Sequence, residues 1–213
     1  MKTAVGLFGI HYVYRLNHWM GWKHGVDFEK TIDAFRNQIL QNLDTHFFIS
    51  TYKSNVYTKL LHAYKPIKKL ILSNLDNKIP NNFNENFIRR NSRFLEVMKS
   101  IIDSKENFER IILTRFDLMF KQNATLSKLD IREDKINFLN KTGWGDNKNL
   151  CDDNFYVFSQ KQFNFFYDTV NNIDISISSH EYKNYFKQND INYMQKQLYY
   201  SHNNPFYYIY RVH

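Results

Sequence analysis

The stretch that decides the fold is Glu109-Arg110-Ile111-Ile112-Leu113-Thr114, which runs on into Arg115-Phe116-Asp117-Leu118-Met119-Phe120. An aliphatic run bounded by polar residues and too short for a helix reads as a buried strand, the kind that lies inside a parallel sheet. Immediately upstream, from Asn84 to about Ile102, Phe87, Phe94, Leu95, Met98 and Ile101 recur on one helical face, which predicts a long amphipathic helix. The same pairing recurs toward the N-terminus. Residues 67–72 (IKKLIL) and 45–50 (THFFIS) read as strands, residues 54–63 as a helix between them. Phe28, Ile32, Phe35, Ile39, Leu40 and Leu43 give a further amphipathic helix, and residues 3–10 (TAVGLFGI) an opening strand. Strand then helix, three times over, predicts an open α/β sheet with right-handed crossovers.

Outside these units the pattern is weaker. Residues 11–26, with Trp19 and Trp22, read as a loop, and so do residues 73–83 around Pro80. Beyond Phe120 the sequence predicts a short strand near 135–139, then a polar loop through Trp144, Gly145 and Asp146 to Cys151-Asp152-Asp153-Asn154. A strand at 155–159 (FYVFS) and a helix at 160–171 follow, then one or two helices over 179–189 and 192–200, and a terminal strand at 205–212. No internal repeat or linker is visible, which favours one domain over residues 1–213.

Composition narrows the class. At 43% hydrophobic and 23% charged the chain is too apolar for disorder, and 6 Gly and 3 Pro exclude collagen-like repeats. A single cysteine, Cys151, excludes an intrachain disulfide framework and a cysteine zinc cage, and points to a reducing compartment. The net charge of +8 is compatible with nucleic acid, an anionic membrane surface or a small anionic substrate. The basic clusters, Lys65, Lys68 and Lys69, and Arg89, Arg90 and Arg93, are interleaved with acids, as on an ordinary solvated surface. No apolar run reaches the length of a membrane span, and the first strand lacks the cleavage site of a signal peptide, so the expected location is the cytoplasm. The 19 Phe, 15 Tyr and 26 Asn are residues of AT-rich codons, and most of the Phe are expected in the core.

In an open α/β sheet ligands bind beyond the carboxyl ends of the strands. The residues there are Gly9, Ile10, His11 and Arg15, then Ser50 and Thr51, then Arg115 and Asp117, with Asp152 and Asp153 just before the 155–159 strand. There is no P-loop, GxGxxG, GxSxG or HExxH pattern to go with them. Cys151 stands beside two carboxylates, which oppose a thiolate, so its reading is structural. Arg115 and Asp117 share a face if the backbone is extended. Such a carboxylate can hold a divalent cation on a phosphate, and such an arginine can pair a phosphate bidentately. Alternatively, the two neutralise each other in a structural ion pair.

Four segments together, the opening strand with its glycines, THFFISTY, IILTRFDLMF and DDNFYVFS, resemble the sugar-nucleotide-dependent glycosyltransferases of the GT-A fold, particularly small viral and bacterial members. The resemblance implies a single-domain, Rossmann-like, mixed and mainly parallel sheet flanked by helices. Residues 1–120 would be the nucleotide-binding half and 121–213 the acceptor side. It also implies transfer of a sugar from a nucleoside diphosphate sugar, UDP favoured, to a glycan or glycoprotein. In that family the strand after the long helix ends in Asp-x-Asp, which holds Mn²⁺ or Mg²⁺ on the diphosphate. Asp117 matches the last Asp and Arg115 stands at the first, so Asp117 would hold the ion and Arg115 supplement it.

By the same resemblance Phe8, Gly9, Ile10, His11 and Arg15 would receive the nucleotide, and Thr51 and Tyr52 would flank the base or ribose. Asp152 and Asp153 would be the catalytic carboxylates near the sugar and acceptor hydroxyl, although an Asx-turn or strand cap is the other reading of that pair. His180, His202 and His213 are available as late metal ligands, and Trp144 as an acceptor-side ring. Two other functions stay open: a basic nucleic-acid-binding protein or metal nuclease, and a non-catalytic GT-A-like binding domain.

Overall fold

The run Ile111-Ile112-Leu113 lies in the interior of a seven-stranded sheet. The structure is a computed structural model and describes residues 1–9, 12–16, 24–74, 83–144, 147–199 and 203–210. In chain order the elements are β1 (Lys2–Phe8), β2 (Tyr12–Leu16), β3 (His24–Asp27), α1 (Ile32–Gln38), β4 (Asp44–Tyr52), α2 (Tyr57–Ala63), β5 (Ile67–Ser73) and α3 (Phe83–Asp103). Then follow β6 (Arg110–Arg115), β7 (Leu118–Phe120), β8 (Ile136–Phe138), β9 (Lys141–Trp144), β10 (Asn147–Cys151), β11 (Phe155–Phe158), α4 (Gln160–Val170), β12 (Ile191–Tyr193) and β13 (Tyr207–Ile209).

The main sheet has the order β12-β8-β11-β6-β1-β4-β5. Its half around β1 is parallel, and β11 runs antiparallel to both β6 and β8. Alternation along each strand sorts the side chains. Val5, Leu7, Phe47, Ile49 and Ile112 pack with Ile32 and Phe35 of α1 and Leu60 of α2. Ala4, Phe8, Phe48, Ile111 and Leu113 pack with Phe94, Val97, Met98 and Ile101 of α3 and Phe163 and Phe166 of α4. With both faces covered, the strands need apolar residues at every interior position, which is why they read as continuous runs. Gly6 marks where α3 presses on the sheet: a Cβ there would lie 2.4 Å from Val97 Cγ1 and 2.5 Å from Leu113 Cδ2.

Register then brings several strand ends to one carboxyl edge. Phe8 is opposite Ser50 on one side and Arg115 on the other, so β1, β4 and β6 end together. Because β11 is reversed, its start lies at that same edge, with Phe155 opposite Thr114. β13 pairs with β7, and the Tyr210 amide donates to the Asp117 carbonyl at 2.7 Å, so the C-terminal strand closes beside it.

Three expectations change. Part of the 11–26 segment is an antiparallel ribbon, β2 with β3; Ile10, His11, Trp19 and Trp22 lie outside the described residues. The polar approach to Cys151 is likewise a hairpin, β9 with β10. Residues 179–199, expected as one or two helices, are not α-helical: Ser179–Tyr185 and Gln188–Asp190 are short 3-10 turns, and Ile191–Tyr193 is a strand parallel to β8. Tyr182 and Phe186 imitate helical spacing because both are buried in the core cluster with Phe94 and Phe166, a constraint that the 3-10 turn also meets. Among the described residues no helix is long and apolar enough to cross a membrane.

Candidate functional site

β6 delivers Arg115 to the carboxyl edge on the α3 side of the sheet, and the chain turns at once to place Asp117 beside it. Arg115 Nε donates to Asp117 Oδ1 at 2.9 Å, and Nη2 to Oδ2 at 2.6 Å. Its Nη1 donates across to Asn154 Oδ1 at 2.9 Å, joining β6 to the start of β11. Arg115 and Asp117 thus form a bidentate ion pair. Burial opposes the charge on Arg115, but the Asp117 carboxylate and its hydrogen bonds outweigh that and raise the guanidinium above its ordinary value.

Asp152 and Asp153 are brought to the same edge, both below the surface at 1% and 2% exposure. Asp152 Oδ1 accepts the Asn154 amide at 3.0 Å, the Asx-turn anticipated as the alternative, and Oδ2 accepts the Tyr207 hydroxyl. Asn154 Nδ2 in turn donates to the Tyr207 oxygen at 2.8 Å. Asp153 Oδ2 accepts from Arg90 of α3 and from the Ser179 hydroxyl, while Oδ1 is buried with no hydrogen-bond partner among the described residues. Burial and the neighbouring Asp153 charge push the Asp152 carboxyl up. For Asp153 burial acts in the same sense but is outweighed by Arg90, His180, Ser179 and Arg115, which hold its carboxyl down.

His180 comes to this cluster from the 3-10 turn. Its Nδ1 donates to the Cys151 carbonyl at 2.8 Å, and Nε2 lies 3.4 Å from Asp153 Oδ2. Cys151 is fully buried and its thiol is pushed up by burial, in keeping with a structural role.

A second polar group occupies the β1, β4 and β5 ends. Gly9 has φ +98°, a conformation that favours glycine, and no described atom lies within 4 Å of a Cβ built there. Its carbonyl accepts the Thr51 hydroxyl at 2.7 Å. Ser50 donates to Glu96 of α3 at 2.5 Å, Arg93 donates to Glu96 at 2.7 Å and to Ser73, and the Arg93 guanidinium lies over the Tyr52 ring at 5.6 Å. Tyr52 is thus held as a platform.

Of the residues expected at the site, Gly9, Thr51, Tyr52, Arg115, Asp117, Asp152 and Asp153 all meet along this edge. Phe8 is placed there too, but its ring turns into the core against Phe94 at a centroid distance of 4.8 Å. Only its backbone faces the edge. Arg15 lies in β2, with its backbone alone described; His202 and His213 fall outside the described residues, and Trp144 ends β9.

The residues fit a Mn²⁺ or Mg²⁺ at Asp117 poorly. Both Asp117 oxygens already accept from a guanidinium, both Asp152 oxygens accept N–H or O–H donors, and Asp153 keeps one oxygen, which is buried. Either ion needs several hard oxygen ligands. Among the described residues no group of three His, Cys, Asp or Glu side chains is arranged to hold a metal.

Sequence reading missed Arg90, Asn154, Ser179 and Tyr207 as site residues. Arg90 and Asn154 were visible, one in the Arg89-Arg90-Arg93 cluster and the other following Asp152-Asp153, but neither carries a motif. No protein-family model matches the chain, and a search of curated proteins finds no match.

Proposed function

We propose that the chain is a glycosyltransferase of GT-A-like architecture that takes a nucleoside diphosphate sugar, UDP favoured, at the carboxyl edge of the main sheet and transfers the sugar to a glycan or glycoprotein. The observation that carries the reading is the convergence of β1, β4, β6 and the reversed β11 on one edge, with Arg115, Asp117, Asn154 and Asp152 in a continuous hydrogen-bonded network.

In this reading the Tyr52 face, fixed under Arg93, stacks the base, and the glycine at position 9 lets backbone and ligand approach closely. Negative charge that develops on the leaving diphosphate meets a preorganised guanidinium, which needs no reorientation at the moment of reaction. Asp152 and Asp153 are buried, so they act as positioning groups: Asp152 holds Asn154 and Tyr207, and Asp153 holds Arg90 and Ser179.

Calorimetry with UDP, followed by hydrolysis assays over a panel of UDP- and GDP-sugars, tests the proposal. Binding of a nucleoside diphosphate together with slow donor hydrolysis supports it; no binding of either nucleotide overturns it. The commitment of Asp117, Asp152 and Asp153 to internal partners favours one second reading, a non-catalytic domain of the same architecture. That reading predicts nucleotide binding without hydrolysis of any donor.

A further inference from the structure

We infer that the carboxyl edge binds the diphosphate of its ligand through Arg115 and Arg90 directly, with no divalent cation between protein and phosphate. The inference rests on the proposed function for the identity of the anion. Its physical basis is the direction in which the ion pairs face.

In the Arg115–Asp117 pair the cation side chain is 19% exposed and the carboxylate 5%. In the Arg90–Asp153 pair the values are 23% and 1%. In both pairs the basic side chain is thus the more exposed partner and the carboxylate lies beneath it. A ligand or a metal ion arriving from solvent therefore meets the basic side chains before the carboxylates. The carboxylates behind are counterions that keep each guanidinium oriented and charged.

Arg115 is held by Asp117 and Asn154 through part of its fork and retains further N–H groups to offer, the arrangement that suits planar, bidentate phosphate recognition. In register it is the neighbour of Phe8, one residue from Gly9, where no described atom fills the space a Cβ would take. A phosphate lying there reaches the guanidinium without meeting a side chain at Gly9, whose own N–H is given to the Ser50 carbonyl at 3.2 Å. The donor's charge is then offset by fixed cations whose protonation does not change at any working pH.

The experiment measures UDP binding by calorimetry in EDTA and again with Mn²⁺, with inorganic pyrophosphate in EDTA as a base-free probe. The expected result is a UDP affinity in EDTA within about threefold of that with Mn²⁺, since that factor is under 1 kcal/mol. Arg115→Lys, which keeps the charge and loses the fork, is expected to weaken both ligands in EDTA by about tenfold or more. Arg90→Lys is the second arm should Arg115→Lys not melt cooperatively. UDP binding only when Mn²⁺ is present, or stoichiometric Mn²⁺ binding to the ligand-free protein by electron paramagnetic resonance, overturns the inference. Pyrophosphate binding without UDP binding in EDTA keeps the anion site and removes the nucleotide reading, whereas failure of both ligands in EDTA removes the anion site.

Discussion

Tyr207 and Asp152, 55 residues apart in sequence, are joined by a hydrogen bond in which the phenol donates to carboxylate Oδ2. Both side chains are buried, and Tyr207 is pushed up by burial and by the Asp152 charge, so it stays a neutral donor. This bond ties β13 to the carboxyl edge of the main sheet. Tyr207→Phe keeps the ring packed against Phe120 and removes only the donor. A lost hydrogen bond to a buried charged group costs about 1.5–3 kcal/mol, to be read from urea unfolding at pH 7. The loss is expected to shrink in acid. Asp152 is already raised, and without its phenol donor it rises further. A group raised in the folded state contributes fully below its unfolded value of 3.8 and loses that contribution as pH rises through the folded value. Equal destabilisation at pH 4 and pH 7 counts against the assignment.

Asp117→Asn tests the counterion. The amide oxygen can accept only one of the two bonds now made to Asp117, so Arg115 keeps two of its three side-chain hydrogen bonds and loses its charged partner. Breaking one side of such a pair costs about 3 kcal/mol. The thermal transition is expected to fall while remaining cooperative, and donor turnover to be lost, because Arg115 no longer holds one orientation. Unchanged stability with unchanged turnover shows that the pair is incidental.

The strands and the long helix were legible because their physics is local and repetitive. Val5, Leu7 and Ile112 are buried between two layers, and α3 shows its apolar face at helical spacing. The ribbon β2–β3 and the strand β12 were not legible, because their pairing depends on partners distant in sequence or on turns without strong signals. The site divides in the same way. Arg115 and Asp117 declare themselves by standing two apart at a strand end. The reversal of β11, which brings Asp152 to Asn154 against them, is a topological fact that no local pattern encodes. Tyr207 and Arg90 reach the network only through tertiary packing.

Gly6 and Gly9 are glycines for different reasons, and substitution separates them. Gly6→Ala puts a methyl group into Val97 and Leu113, and the packed α3 must shift. Overpacking of this kind costs about 1–3 kcal/mol. Gly9→Ala meets no described atom but is strained at φ +98°, which costs about 1–2 kcal/mol. Thermal melts are expected to show both losses. Only Gly9→Ala is expected to weaken nucleotide binding disproportionately, since Gly9 lies at the edge and Gly6 beneath α3. Equal effects of both on binding argue against a ligand at Gly9.

At the opposite edge, Glu106 in the turn after α3 accepts from Lys2 of β1 at 2.8 Å and from Lys68 of β5 at 3.0 Å, clamping two strands that do not neighbour each other. The hydrogen bonds from Lys2 and Lys68 hold its carboxyl down at about 2, from an ordinary 4.5. Because the folded value is the depressed one, the contribution is complete above pH 4.5 and is lost as pH falls through about 2. Glu106→Gln should therefore lower the urea midpoint at neutral pH and flatten its dependence between those limits, with the two proteins converging at the acid end. The groups are accessible to solvent, so added salt should narrow the neutral-pH gap as the charges are screened. A gap that stays constant from pH 7 to pH 2 means that the glutamate acts by packing rather than by charge.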